Sequence, residues 1–192
     1  MHQIFIGEVL DGFKADFIRL PDIHSFAYGL EIPANRRLSI LRGYFNAVEF
    51  SGRTPKSDIS HLTQMAKDGK AHIYAYFGGQ GNGNLECLND LRRIYKTYKP
   101  LLYSLIEAIS PLLLDLSRLE RAEDYFGPEA LDLVEWLNDE AKAPSADIIS
   151  SAPYSFPIIG LISLANYCAF CKAASVTLGS MRSILNGVTG HS

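Results

Sequence analysis

Apolar residues Leu38, Ile40, Leu41, Tyr44, Phe45 and Val48 recur at helical spacing, which predicts an amphipathic helix over residues 36–50. Ser51-Gly52-Arg53-Thr54-Pro55 breaks the pattern. Residues 61–67 read as one more short helix, ended by Asp68-Gly69. The pattern then changes period. His72-Ile73-Tyr74-Ala75-Tyr76-Phe77 is short, aromatic and β-branched, so it reads as a strand. A glycine-rich loop follows, Gly78-Gly79-Gln80-Gly81-Asn82-Gly83-Asn84, and then a helix over 85–98. Strand, glycine loop and helix in that order open an α/β unit.

Pro100 is expected to break that helix, and a second one to cover 101–121 with Pro111 kinking or dividing it. Residues 131–137, with Trp136, form a short amphipathic segment. Ala143-Pro144-Ser145 reads as a loop, and Pro157 suits the first position of an apolar helix reaching about Ala174. Thr177-Leu178-Gly179 turns the chain, residues 180–185 read as helix, and Asn186-Gly187 as a turn. Val188-Thr189 then makes a strand entering Gly190-His191-Ser192.

Composition narrows the class. A hydrophobic content of 47% supports a real core, and the net charge is a modest −3. No basic block suggests nucleic acid, and no basic amphipathic stretch suggests a membrane surface. The uncharged run over 148–171 has a continuous helical part, 157–171, shorter than the roughly 20 residues of a membrane span, so a buried helix is expected. The N-terminus lacks a positive region followed by an apolar run, so no secretory signal is expected. Three cysteines and no Asn-x-Ser/Thr sequon fit a reducing, cytoplasmic setting. Residues 107–140 carry ten acidic and two basic side chains, a solvated acidic face.

Candidate chemistry begins with the glycine loop. From Gly79 or Gly81 the third position of a dinucleotide fingerprint is Asn84 or Glu86, so that motif fails. Gly78 and Gly83 have P-loop separation, but Asn84-Leu85 replace Lys and Ser/Thr. The loop is either a plain turn or a place where backbone approaches a ligand closely, with Gln80 presenting a donor to an oxyanion. Gly190-His191-Ser192 has the first half of a nucleophile elbow, Gly-x-Ser. Cys168-Ala169-Phe170-Cys171 lies inside an apolar helical run, where buried structural thiols are expected. The five histidines show no metal spacing, and no carboxylate pair stands out.

The order of motifs carries a resemblance. Tyr76-Phe77-Gly78-Gly79-Gln80-Gly81-Asn82 is followed by Asp90-Leu91-Arg92-Arg93-Ile94-Tyr95-Lys96-Thr97-Tyr98 and by Leu133-Val134-Glu135-Trp136-Leu137. Pro157-Ile158-Ile159-Gly160-Leu161-Ile162 comes next, then the run from Arg182 to Ser192. The series resembles the N-terminal starter acyltransferase domain of the β subunit of fungal type I fatty acid synthases. Residues 72–192 match well and 36–71 more loosely; residues 1–35 find no counterpart.

The resemblance implies a fold class, α/β with an incomplete, α/β-hydrolase-like acyltransferase core behind a mostly helical N-terminal segment. It divides the chain into that segment, 1–70, and the first part of the acyltransferase domain, 71–192. It implies a mechanism in which Ser192 takes an acyl group from acyl-CoA and passes it to the phosphopantetheine thiol of an acyl carrier protein. Gln80 would lie at the oxyanion hole. His191 would flank the nucleophile and shape its pocket, without acting as base. The fatty acid synthase α subunit is the implied protein partner, and no cofactor is implied within this segment. The family's Gln-Gly after the serine, the helix behind the elbow and the distant basic histidine have no counterpart here. The 192 residues alone are therefore expected to be inactive and poorly soluble. The alternatives are a β subunit dedicated to a secondary metabolite, a non-catalytic structural or interaction module, and an α/β-hydrolase-type esterase. The Phe-Gly-Gly-Gln-Gly loop argues against the last.

Overall fold

A computed structural model describes residues 2–16, 23–52, 60–78, 84–120, 122–126, 130–174 and 176–190. The described chain is mostly helical. Its helices are α1 (His2–Asp16), α2 (Ile23–Gly29), α3 (Ala34–Phe50), α4 (His61–Lys67), α5 (Asn84–Ser117), α6 (Glu123–Phe126), α7 (Leu133–Asn138), α8 (Ala146–Ser150), α9 (Ala152–Ala173) and α10 (Leu178–Ile184). Two strands, β1 (Ile73–Phe77) and β2 (Leu185–Gly190), pair in a small parallel sheet. Contacts divide the chain into two compact units, one of residues 1–75, 96–101 and 168–188, the other of 76–95, 102–167 and 189–192.

In the first unit, the helical spacing of α3 buries Leu41, Phe45 and Val48. Leu41 and Phe45 pack with Ile23, Ala27 and Leu101, and Phe13, Tyr44 and Tyr98 close over them. Both early helix ends follow the sequence signals. Gly52 (φ 67°) and Gly69 (φ 69°) take the left-handed backbone just past the C-caps of α3 and α4, where a side chain would strain the turn. Ser60 caps α4, its Oγ accepting from the Thr63 N–H at 3.3 Å.

The break expected at Pro100 is present. The range α5 holds two helices that meet at a kink, with Tyr98 (φ −116°, ψ 30°) as the non-helical residue between them. The proline ring clashes with the carbonyl four residues back and offers no N–H, and the backbone relieves this two residues upstream. The kink turns Tyr98 into the first unit's core. Its ring lies 5.2 Å from Phe45 and stacks 5.8 Å from His24. Its hydroxyl is 3.3 Å from His24 Nε2. Nearby, Lys172 of α9 donates to the Leu101 carbonyl at 2.6 Å. Pro111 neither divides nor ends α5.

The second unit is built around a buried arginine. Arg92, 5% exposed, donates through Nε and Nη2 to the Trp136 carbonyl at 3.0 and 2.8 Å. Its Nη1 donates to Asn89 Oδ1 at 2.6 Å. This fork satisfies the last turn of α7, whose carbonyls lack helical partners. The other end of α7 is capped by Asp132, which accepts from the Glu135 N–H at 3.0 Å. Tyr154 packs edge-on to Phe126 at 5.1 Å and donates to the Phe126 carbonyl. Ser117, buried at the end of α5, accepts from the Leu131 N–H at 2.9 Å.

Helix α9 corrects two expectations. It begins at Ala152, so Pro157 lies inside it and not at its first position. At 22 residues it is long and apolar enough to cross a membrane, as is residue range 85–117 of α5. Yet Tyr154, Ile158, Leu161 and Ala165 are buried along one stripe, the pattern of a helix packed on a protein core.

Two outcomes are expected. Replacing Arg92 by Met leaves the Trp136 carbonyl without its donors and lowers unfolding stability by about 1–3 kcal/mol, read from the urea midpoint. Burial, with Tyr28 beside it, pushes the Tyr98 phenol from 10.0 up to about 12. Between those values the unfolded chain binds fewer protons than the folded one, so stability falls as pH rises through the window. Denaturant titrations of Tyr98→Phe at pH 10 and 12 should show a smaller loss than the parent.

Candidate functional site

The sheet positions the two glycine-rich stretches. β1 alternates half-buried Ile73, Ala75 and Phe77 with exposed Tyr74 and Tyr76, as a strand with one covered face should. β2 begins earlier than the sequence suggests. Asn186-Gly187, expected as a turn, lies within the strand. The reason is local. Asn186 Oδ1 accepts from the Ile73 N–H at 2.9 Å, satisfying the first donor of β1. Gly187 lies under the Tyr74 ring, where an added Cβ would come within 3.1 Å of the ring. A residue pair with turn chemistry thus serves as a strand start because one side chain supplies an acceptor and the other supplies room.

At the other end of the sheet, Gly190 stands beside Phe77. A Cβ on Gly190 would lie 3.6 Å from the Phe77 carbonyl oxygen, an ordinary contact, so Phe77 does not by itself demand glycine there. Because the strands run parallel, the chain leaves both at the same edge. One exit leads into Gly78 and the glycine loop, the other toward the last two residues. Gln80, His191 and Ser192 lie outside the described residues.

The other candidates fall as follows. Cys87 sits near the start of α5. Burial, with Asp90 and Glu86 adding to it, raises its thiol pKa, so it is held protonated and is a weak nucleophile. Cys168 is half-buried and Cys171 buried within α9, and neither is in a disulfide. No group of three or more His, Cys, Asp or Glu side chains suited to a metal occurs among the described residues. Sequence reasoning missed the roles of Arg92 and Asn186. Arg92 sits in a quoted motif, but nothing in its spacing reveals that its partner is a backbone carbonyl.

If Asn186 anchors β1, Asn186→Ala should cost about 1 kcal/mol. Amide exchange at Ile73 should accelerate in the same variant, while exchange within α7 stays unchanged.

Comparison with known proteins gives a consistent answer. No protein-family model matches the chain. It is 35% identical over 184 residues to the fatty acid synthase beta subunit pigK of Monascus ruber, covering 96% of this chain and 9% of that protein. It is 41% identical over 133 residues to the fatty acid synthase beta subunit hexB of Dothistroma septosporum, covering 69% of this chain and 7% of that protein. The fatty acid synthase subunit beta of Saccharomyces cerevisiae is 32% identical over 188 residues, 95% of this chain and 9% of its own length. The chain therefore spans about a tenth of the relatives it matches, and over nearly its whole length it is homologous to a stretch of fungal fatty acid synthase β subunits.

Proposed function

We propose that this chain forms the first part of a starter acyltransferase domain in a fatty acid synthase β subunit. Residues 71–192 open the acyltransferase core, of α/β-hydrolase-like type, and 1–70 are the helical segment before it. In this reading Ser192 attacks the thioester carbonyl of acyl-CoA. The tetrahedral intermediate collapses with loss of the CoA thiol, leaving an acyl ester on Ser192. The phosphopantetheine thiol of an acyl carrier protein then attacks that ester and restores the serine hydroxyl. Gln80 stabilises the oxyanion formed in both steps, and His191 shapes the pocket beside the nucleophile. The reaction belongs in the cytoplasm, in an assembly with the α subunit.

The observation that carries this reading is the shared exit edge of the sheet. Phe77 and Gly190 are neighbours. Gln80 follows Phe77 by three residues, and Ser192 follows Gly190 by two. A loop of three residues reaches roughly 10 Å at most, so both groups start within range of one reacting carbonyl. Homology to β subunits of the named synthases supports the reaction class. Serine chemistry also needs a general base, worth roughly 10²–10⁴ in rate.

The test is acyl transfer by the Monascus ruber β subunit carrying this chain in place of its matching stretch. Radiolabelled acyl-CoA should label the chimera through a base-labile ester that Ser192→Ala abolishes. Gln80→Ala should slow transfer by about 10²–10³-fold while the ester still forms. Full labelling of the Ser192→Ala chimera at this domain would sink the assignment.

A further inference from the structure

Helices α1 and α3 of the first unit pack against each other and leave an apolar groove between them, about 570 Å³ in volume and open on one side. Phe5, Val9 and Phe13 line it from α1, and Gly43, Ala47 and Phe50 from α3. Among the described lining residues, side-chain polar atoms come from Asn46 and the Tyr44 hydroxyl alone, and none is charged. The lips are as apolar as the floor. Ile4, Phe5, Val9 and Phe50 are 69%, 65%, 55% and 66% exposed. Large side chains grouped and exposed in this way mark a surface that another element covers.

The shape favours polypeptide over a small ligand. Small-molecule sites bury most of their occupant and fix it with a few polar groups; this groove is open and offers almost none. Gly43 and Ala47 lie one turn apart on α3 and form a low floor between bulkier neighbours. A Cβ added at Gly43 would meet nothing within 4 Å. Two packed helices with a low, apolar furrow between them are completed by a third helix, whose ridge fits at an interaxial distance of about 8–10 Å.

The relatives supply the source of that helix. About nine-tenths of each lies outside the stretch matched here. A segment on the same chain meets the groove at the high effective concentration of a tethered ligand. We propose that the α1–α3 groove seats an amphipathic helix from the remaining polypeptide of the β subunit, making residues 1–50 a docking platform within the whole enzyme. The proposal rests on the reading of this chain as part of such a subunit.

Side-chain accessibility tests it. Val9→Cys and Phe50→Cys are prepared in the 192-residue chain and in the full-length Monascus ruber chimera. Maleimide labelling is followed by peptide mass mapping, with Lys70→Cys as an exposed control. Both groove positions should react about tenfold more slowly, or slower still, in the full-length protein, while the control reacts equally in both. Equal rates at the groove positions overturn the proposal. The double variant Val9→Asp/Phe50→Asp gives a second reading: it should lower the thermal midpoint of the full-length protein and leave that of the 192-residue chain unchanged. An equal drop in both overturns the proposal. So does a dimer of the short chain that the double variant dissolves, because a second copy is then the occupant. Starter transfer is measured on the same chimera. An inactive chimera that still shields Val9 and Phe50 keeps the groove assignment and removes the acyltransferase reading.

Discussion

The pairing of β1 with β2 is the constraint on which the candidate site depends. Ile73 and Asn186 are 113 positions apart, yet they are joined by a backbone-to-side-chain hydrogen bond of 2.9 Å. Further along the same pair, Gly190 is set beside Phe77. Helices alone would give the two glycine-containing stretches no reason to be neighbours. The parallel sense is as important as the pairing, because an antiparallel pair would send the two exits to opposite edges.

Much of this arrangement was legible in the sequence, and the reasons are specific. The helical stripe of α3 and the glycine stops at Gly52 and Gly69 are local effects, written in spacing and in the backbone freedom of one residue type. β1 was legible for the same reason. What was not legible depended on distant partners. Asn186-Gly187 reads as a turn until Ile73 and Tyr74 are placed against it. Pro100 reads correctly as a break, but its place at Tyr98, two residues upstream, depends on the packing of that ring on Phe45 and His24. Helix α9 starts five residues before Pro157, since prolines in the opening turns remove few bonds that the helix would otherwise make. The candidate site itself was read from motif order, and its three named side chains remain a matter of sequence.

The motif residues also divide into two kinds of work. Arg92 belongs to one of the matched runs, but its guanidinium is spent on a backbone carbonyl and on Asn89. Recurrence of such an arginine among relatives would therefore speak for the scaffold that holds α7 on α5 and not for chemistry. Tyr98, closing the same run, likewise packs on the first unit's core, and its hydroxyl meets His24. In the proposed reading the chemistry rests with the glycine-rich exits, and the charged and aromatic runs between them hold the architecture.

The long separation between the strands has a consequence for how the protein is made. A ribosome adds about 5–20 residues per second, so β1 emerges roughly 6–23 s before its partner strand. During that interval Tyr74 and Tyr76 stand on a strand with both edges unpaired, the kind of surface that recruits other strands. The helices translated in between are built from local contacts and form far faster than the sheet can close. Helix-first assembly, with β1 waiting for β2, makes this short sheet a late and error-prone step in the biosynthesis of the segment.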